Sequence, residues 1–124
     1  YDSAVKELSR PTNSMLIILL CMLGIDSVEP SKIASIKTLQ TNSYFNGMIG
    51  GIPKRAYYFV GHTEDNFIYL DPHIVHQGSN RGEIEINLNT FFCNYTLSLK
   101  SSKVHPSMGI CFYVRNQAEL DDLF

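Results

Sequence analysis

Asp71 and His73, separated only by Pro72 in the stretch NFIYLDPHIVHQ (residues 66–77), are the side chains of this chain best suited to chemistry. On an extended backbone, Cα atoms two residues apart lie about 6.5–7 Å from each other, so the carboxylate can reach one imidazole nitrogen. That contact fixes the tautomer of the histidine, stabilises its cationic form and leaves the other nitrogen free for proton transfer. Pro72 fixes its own φ and offers no N–H to compete. The pair has the makings of a base with its orienter, and it lacks a nucleophile. Taken alone, the tripeptide is more often an Asp-Pro turn followed by a solvated histidine than a catalytic pair.

The elements that must position this pair can be traced along the chain. AYYFVGHT and NFIYLDPH are rich in aromatic and β-branched residues, and a turn around Glu64-Asp65-Asn66 joins them into a predicted β-hairpin. Strand alternation puts Phe67, Tyr69, Asp71 and His73 on one side, and Ile68 and Leu70 on the other. Upstream, NGMIGGIPKRA carries Gly47, Gly50, Gly51 and Pro53, a density of breakers that predicts a loop or a close backbone approach.

MLIILLCML is a continuous apolar run, the pattern of a strand covered on both faces and deep in a core. SVEPSKIASIKTLQTN, with Pro30 near its start and Ile33, Ile36 and Leu39 at threefold spacing, predicts an amphipathic helix capped by Ser27 or a neighbour. Residues 81–103 read as an irregular loop with room for a short helix around FFC. GICFYV reads as a last strand, and AELDDLF as a short helix or tail. Residues 1–14 are polar, contain Pro11 and read as a linker or frayed segment.

Composition narrows the function. A chain of 124 residues with 44% apolar content fits one small domain, or part of a larger one. The net charge of −2, without a basic run, provides no footprint for nucleic acid. Cys21, Cys93 and Cys111 are odd in number and widely spaced, which argues against a disulfide framework or a zinc pattern and makes a reducing cytoplasm the expected compartment. The run from Met15 to Ile25 is shorter than the roughly 20 residues of a membrane span. Spacing among His62, His76 and His105 suggests no metal site. All three read as turn or loop residues, and the cysteines read as structural.

The run from Gly47 to Gln77 resembles the autophagins, papain-like cysteine peptidases that process the ubiquitin-like modifiers of autophagy. In that family a glycine-pair-x-proline loop leads into an aromatic hairpin ending in Tyr-Leu-Asp-Pro-His, and here the same order reads GGIPKRAYYFVG and then IYLDPHIVHQ. LIILLCMLGI and HPSMGICFYV resemble the flanking strands, so that the likeness runs from about Met15 onward.

The resemblance implies that His73 is the general base and Asp71 its orienter. It also implies that Ile52, Pro53, Lys54 and Arg55 form a loop that covers the site and lifts when substrate enters. The fold it implies is α+β, the carboxy-terminal part (residues 15–124) of a papain-like catalytic domain, with a mixed or antiparallel sheet and flanking helices. No metal or cofactor is implied. The implied substrate is a ubiquitin-like autophagy modifier, as precursor or joined to phosphatidylethanolamine, which would bring the enzyme close to a membrane.

Two features depart from the family. His76 stands where its glutamine would, with Gln77 one place later, and the Gly-Trp-Gly-Cys stretch that carries the family's nucleophile is absent from a chain with no tryptophan. The expectation is a fragment whose nucleophile belongs to a missing amino-terminal half. The alternative is a catalytically inactive relic that still binds the modifier.

Overall fold

The computed structural model describes residues 13–75, 89 and 92–124. Its centre is a six-stranded sheet in the order β1-β6-β2-β3-β4-β5, with every neighbouring pair antiparallel. The strands are β1 (Met15–Met22), β2 (Phe45–Ile52), β3 (Arg55–His62), β4 (Asn66–Leu70), β5 (Leu97–Lys100) and β6 (Ser107–Val114). Helix α1 (Pro30–Leu39) connects β1 to β2, and α2 (Gln117–Leu123) follows β6. The class is therefore α+β with an antiparallel sheet. Among the described residues no helix is long and apolar enough to cross a membrane.

The core lies on one face of the sheet. Met48, Phe59, Phe67, Met108, Ile110 and Phe112 point inward and meet Val28 and Ile36 beneath α1. Pro30 begins α1 at a position where its missing N–H costs nothing. The expected cap at Ser27 is not made: Glu29 is the N-cap, and its side chain forms no capping bond. At the other end Asn116 Oδ1 accepts from Glu119 N–H at 3.0 Å, and Glu119 Oε2 reaches back to accept from Arg115 N–H at 2.7 Å, a reciprocal pairing that fixes the start of α2.

The structure corrects three sequence expectations. First, β1 is an edge strand rather than a strand deep in a core. Leu20 and Met22 are 87% and 69% exposed, while Ile17 and Cys21 pack against the core. A continuous apolar run reads the same whether the second face is covered by this chain or left bare.

Second, the glycine-dense segment is strand β2 rather than a loop, and of the two alternatives the close backbone approach is the one met, at Gly51 against the Arg55 carbonyl. Gly47, at φ 99°, sits where the β2–β6 register shifts between Phe45 and Met48, so the breaker marks a bulge within a strand. Third, Leu97–Lys100 forms the outer strand β5, followed by a 3₁₀ turn at Ser101–Lys103. The rest of the anticipated loop lies largely outside the described residues, as do His76, Gln77 and nearly all of the amino-terminal linker.

The β2–β3 hairpin turns through Pro53 and Lys54, since Ile52 and Arg55 are still paired. Lys54 has φ 70°, a left-handed conformation that disfavours a residue with a Cβ. Lys54→Gly is expected to stabilise the protein by about 0.5 kcal/mol, the relieved strain being partly offset by a more flexible unfolded chain. A thermal melt checks it. Gly51 cannot be exchanged in this way: a Cβ there would lie 2.0 Å from the Arg55 carbonyl oxygen.

Candidate active site

Strand β4 ends at Leu70, and Asp71-Pro72-His73 forms the turn that follows. Pro72 has no N–H to continue a ladder. Asp71 Oδ1 accepts from the backbone N–H of His73 at 2.9 Å, the side-chain-to-backbone bond by which aspartate builds a turn. The same oxygen lies 2.6 Å from His73 Nδ1. The two side chains therefore meet, but through a turn closed on the aspartate and not through the strand alternation anticipated from sequence.

An ionised carboxylate only accepts, so the proton of neutral His73 sits on Nδ1 and Nε2 is left with its lone pair available. Asp71 is held below the usual carboxylate range, first by the backbone N–H of His73, then by the His73 side chain, with Arg55 contributing least. The carboxylate is thus ionised and fixed in place. Its side chain is 16% exposed, against 47% for that of His73, which puts the carboxylate beneath and the imidazole at the surface.

Aromatic rings support the pair from below. Tyr57 and Tyr69 lie with centroids 4.2 Å apart, and Tyr57 meets the His73 ring edge-on at 6.4 Å. Tyr57 also packs edge-on against buried Phe59, so a chain of rings connects the core to the imidazole. Arg55, from the tip of the β2–β3 hairpin, places its guanidinium 5.9 Å over the Tyr57 ring and 3.6 Å from Asp71 Oδ2.

An open groove of about 940 Å³ runs beside His73, lined by Ile52, Pro53, Lys54 and Arg55 of the hairpin together with Cys21 and His105. The four hairpin residues singled out in the sequence thus share one groove with His73. His105 was read only as a turn residue. It is one, since its Nδ1 accepts from Ser107 N–H at 3.2 Å, but its backbone N–H also donates to the Gly51 carbonyl at 2.8 Å and fastens the base of the hairpin.

Of the remaining candidates Cys21 shares the groove, whereas His62, Cys93 and Cys111 do not line it. His62 is not solvated as expected: it is half-buried and its Nδ1 contacts Gln40 Oε1 of α1. All three cysteines are unpaired. Cys111 is buried, which pushes its thiol up from the ordinary range. The Cys21 thiol is directed to the Leu19 carbonyl within its own strand. Cys93 is exposed and donates to the Tyr95 carbonyl. Among the described residues no group of three His, Cys, Asp or Glu side chains is placed to hold a metal ion.

Known proteins are similar to this sequence. Cysteine protease atg4 of Dictyostelium discoideum is 32% identical over 123 residues, which cover 99% of this chain and 16% of that protein. Cysteine protease atg4da of Danio rerio is 31% identical over 110 residues, covering 89% and 23%. Cysteine protease ATG4C of Xenopus tropicalis is 31% identical over 124 residues, covering 98% and 28%. The chain thus spans between 16% and 28% of the length of these relatives. The model of the peptidase C54 catalytic domain matches residues 1–124, its full length, and the chain belongs to that family.

Proposed function

We propose that this chain is the base-bearing, carboxy-terminal part (residues 15–124) of a papain-like cysteine peptidase that acts in the cytoplasm on a ubiquitin-like autophagy modifier. The observation that carries the reading is the fixed Asp71–His73 pair, with Nδ1 held by the carboxylate and Nε2 available at an open groove. Membership of the C54 family and the names of its cysteine protease relatives support it.

In this reading a cysteine from another part of the gene product passes its thiol proton to His73 Nε2. The resulting thiolate attacks the carbonyl carbon of a glycine near the modifier's carboxy terminus. Collapse of the tetrahedral adduct breaks the C–N bond, and the leaving nitrogen takes the proton from His73. Water then adds to the thioester, giving a proton to His73 and hydroxyl to the carbonyl, and collapse releases the free carboxylate and the thiol. Asp71 keeps the imidazole in the orientation and tautomer that both transfers need. The leaving amine is a peptide segment in precursor processing, or phosphatidylethanolamine in delipidation, which brings the enzyme transiently to a membrane.

The outer sheet face supports a place for the rest of the domain. Leu16, Ile18, Leu20, Met22 and Ile49 are all at least 45% exposed, and a Cβ at Gly109 would touch Ile18, Leu20 and Ile49 together, so they form one continuous apolar surface. Contiguous surfaces of this kind mark interaction sites. In this account the amino-terminal part of the catalytic domain covers it. Leu20→Glu is then expected to cost the full-length gene product about 2 kcal/mol, the value of burying one leucine. An unchanged urea midpoint would contradict that packing.

A second reading, a modifier-binding relic without hydrolysis, draws on the placement of the three cysteines, none of which pairs with His73. Incubating the full-length gene product with a modifier precursor decides between them. Cleavage that disappears in His73→Ala supports the peptidase, whereas binding without cleavage supports the relic.

A further inference from the structure

We propose that Arg55 is a positioning residue that couples the β2–β3 hairpin to the base, pairing with Asp71 while the hairpin rests on the site and freeing it when the hairpin moves. The inference rests on the peptidase reading above. Its basis is that Asp71 divides its two oxygens between two partners: Oδ1 serves His73 at 2.6 Å, and Oδ2 faces the Arg55 guanidinium at 3.6 Å. Arg55 is the last paired residue of a tight turn, so its side chain moves with the hairpin tip.

Charge gives this contact its consequence. A guanidinium at the second oxygen offsets part of the carboxylate's field at the imidazole, so that the cationic form of His73 is favoured less. Withdrawing Arg55 leaves the whole carboxylate to His73. The contact is built to be releasable: the Arg55 side chain is 56% exposed, it makes the smallest of the contributions holding Asp71 ionised, and its other anchor is the face of Tyr57. Because Pro53, Lys54 and Arg55 wall the groove beside His73, a peptide laid in that groove runs alongside the hairpin tip and the guanidinium.

Among the described residues the charged and titratable groups near His73 are few. Asp71 belongs to its own turn, Arg55 and Lys54 come from the hairpin, Tyr57 and Tyr69 from β3 and β4, and Cys21 and His105 share the groove. Arg55 is the one among them that reaches the carboxylate as a permanent cation.

The test uses the full-length gene product with Arg55→Met and Arg55→Lys. Removing a cation favours the protonated form of every group beside it, so both limbs of the bell-shaped kcat/KM profile are expected to move to higher pH in Arg55→Met. Arg55→Lys keeps the profile of the parent protein. Amide hydrogen exchange at residues 52–56 is expected to accelerate about threefold in Arg55→Met, the effect of losing one exposed ion pair. Asp71→Asn should give the same acceleration, without addition in the double variant.

A superimposable pH profile in Arg55→Met overturns the proposal, as does additive exchange in the double variant. Precursor cleavage that survives His73→Ala overturns the peptidase reading instead. Exchange reports the contact even in a variant that does not turn over.

Discussion

His73→Ala is expected to lower precursor cleavage by the full-length gene product about a thousandfold, the middle of the range for removing a positioned general base. Substrate binding should persist, because the imidazole is half exposed at the edge of the groove and not part of the core. Asp71→Asn is expected to fall nearly as far, for a different reason. Asparagine can present an N–H where the carboxylate accepted, which favours the tautomer with its proton on Nε2 and removes the acceptor that catalysis requires there. The loss should therefore appear in kcat, with KM changed little. Single-turnover cleavage, which separates chemistry from binding and release, checks both variants.

Phe59→Ala carries the largest expected effect on stability, about 4 kcal/mol, since a fully buried phenylalanine is replaced by a cavity. Phe59 has no exposed surface, and its ring meets those of Phe67 at 5.8 Å, Tyr69 at 6.1 Å and Tyr57 at 6.4 Å. Tyr57 in turn meets His73, so this cavity also undermines the platform below the imidazole. The urea midpoint should fall far enough to be evident at any temperature of measurement, since 4 kcal/mol is a large share of the 5–15 kcal/mol typical of a domain. A midpoint close to that of the parent protein would mean that the ring cluster does not anchor the sheet to α1.

The contact between Asp71 and His73 is more legible in the sequence than the way it is built. Tyr-Leu-Asp-Pro-His brings a carboxylate and an imidazole together by chain proximity alone, so their contact could be expected without knowledge of the fold. The means of contact could not, because a strand and a turn that accepts a backbone N–H both bring residues two apart within reach. Gly47, Gly50 and Gly51 suggested a loop because glycine is weak in strands. In the structure these glycines serve a bulge at Gly47 and a close hairpin approach at Gly51.

The misreading of β1 has another cause. Side-chain pattern records which faces avoid water in the whole protein, whereas position in the sheet depends on which partner covers them. Leu16, Ile18, Leu20 and Met22 satisfy the first and leave the second open. The short β5, with only four residues and a partly exposed face, carries too little periodicity to stand out from its loop. The Arg55–Asp71 contact depends on a two-residue turn between Ile52 and Arg55, and no local signal in PKRA gives the direction of that side chain.

The central claim is that the Asp71–His73 pair activates a thiol, and the most direct measurement is the alkylation rate of each cysteine in the full-length gene product near neutral pH, resolved by peptide mapping with iodoacetamide. One cysteine outside Cys21, Cys93 and Cys111 is expected to react at least tenfold faster than the others and to lose that advantage in His73→Ala. Uniform labelling, or a fast cysteine unaffected by His73→Ala, would contradict it.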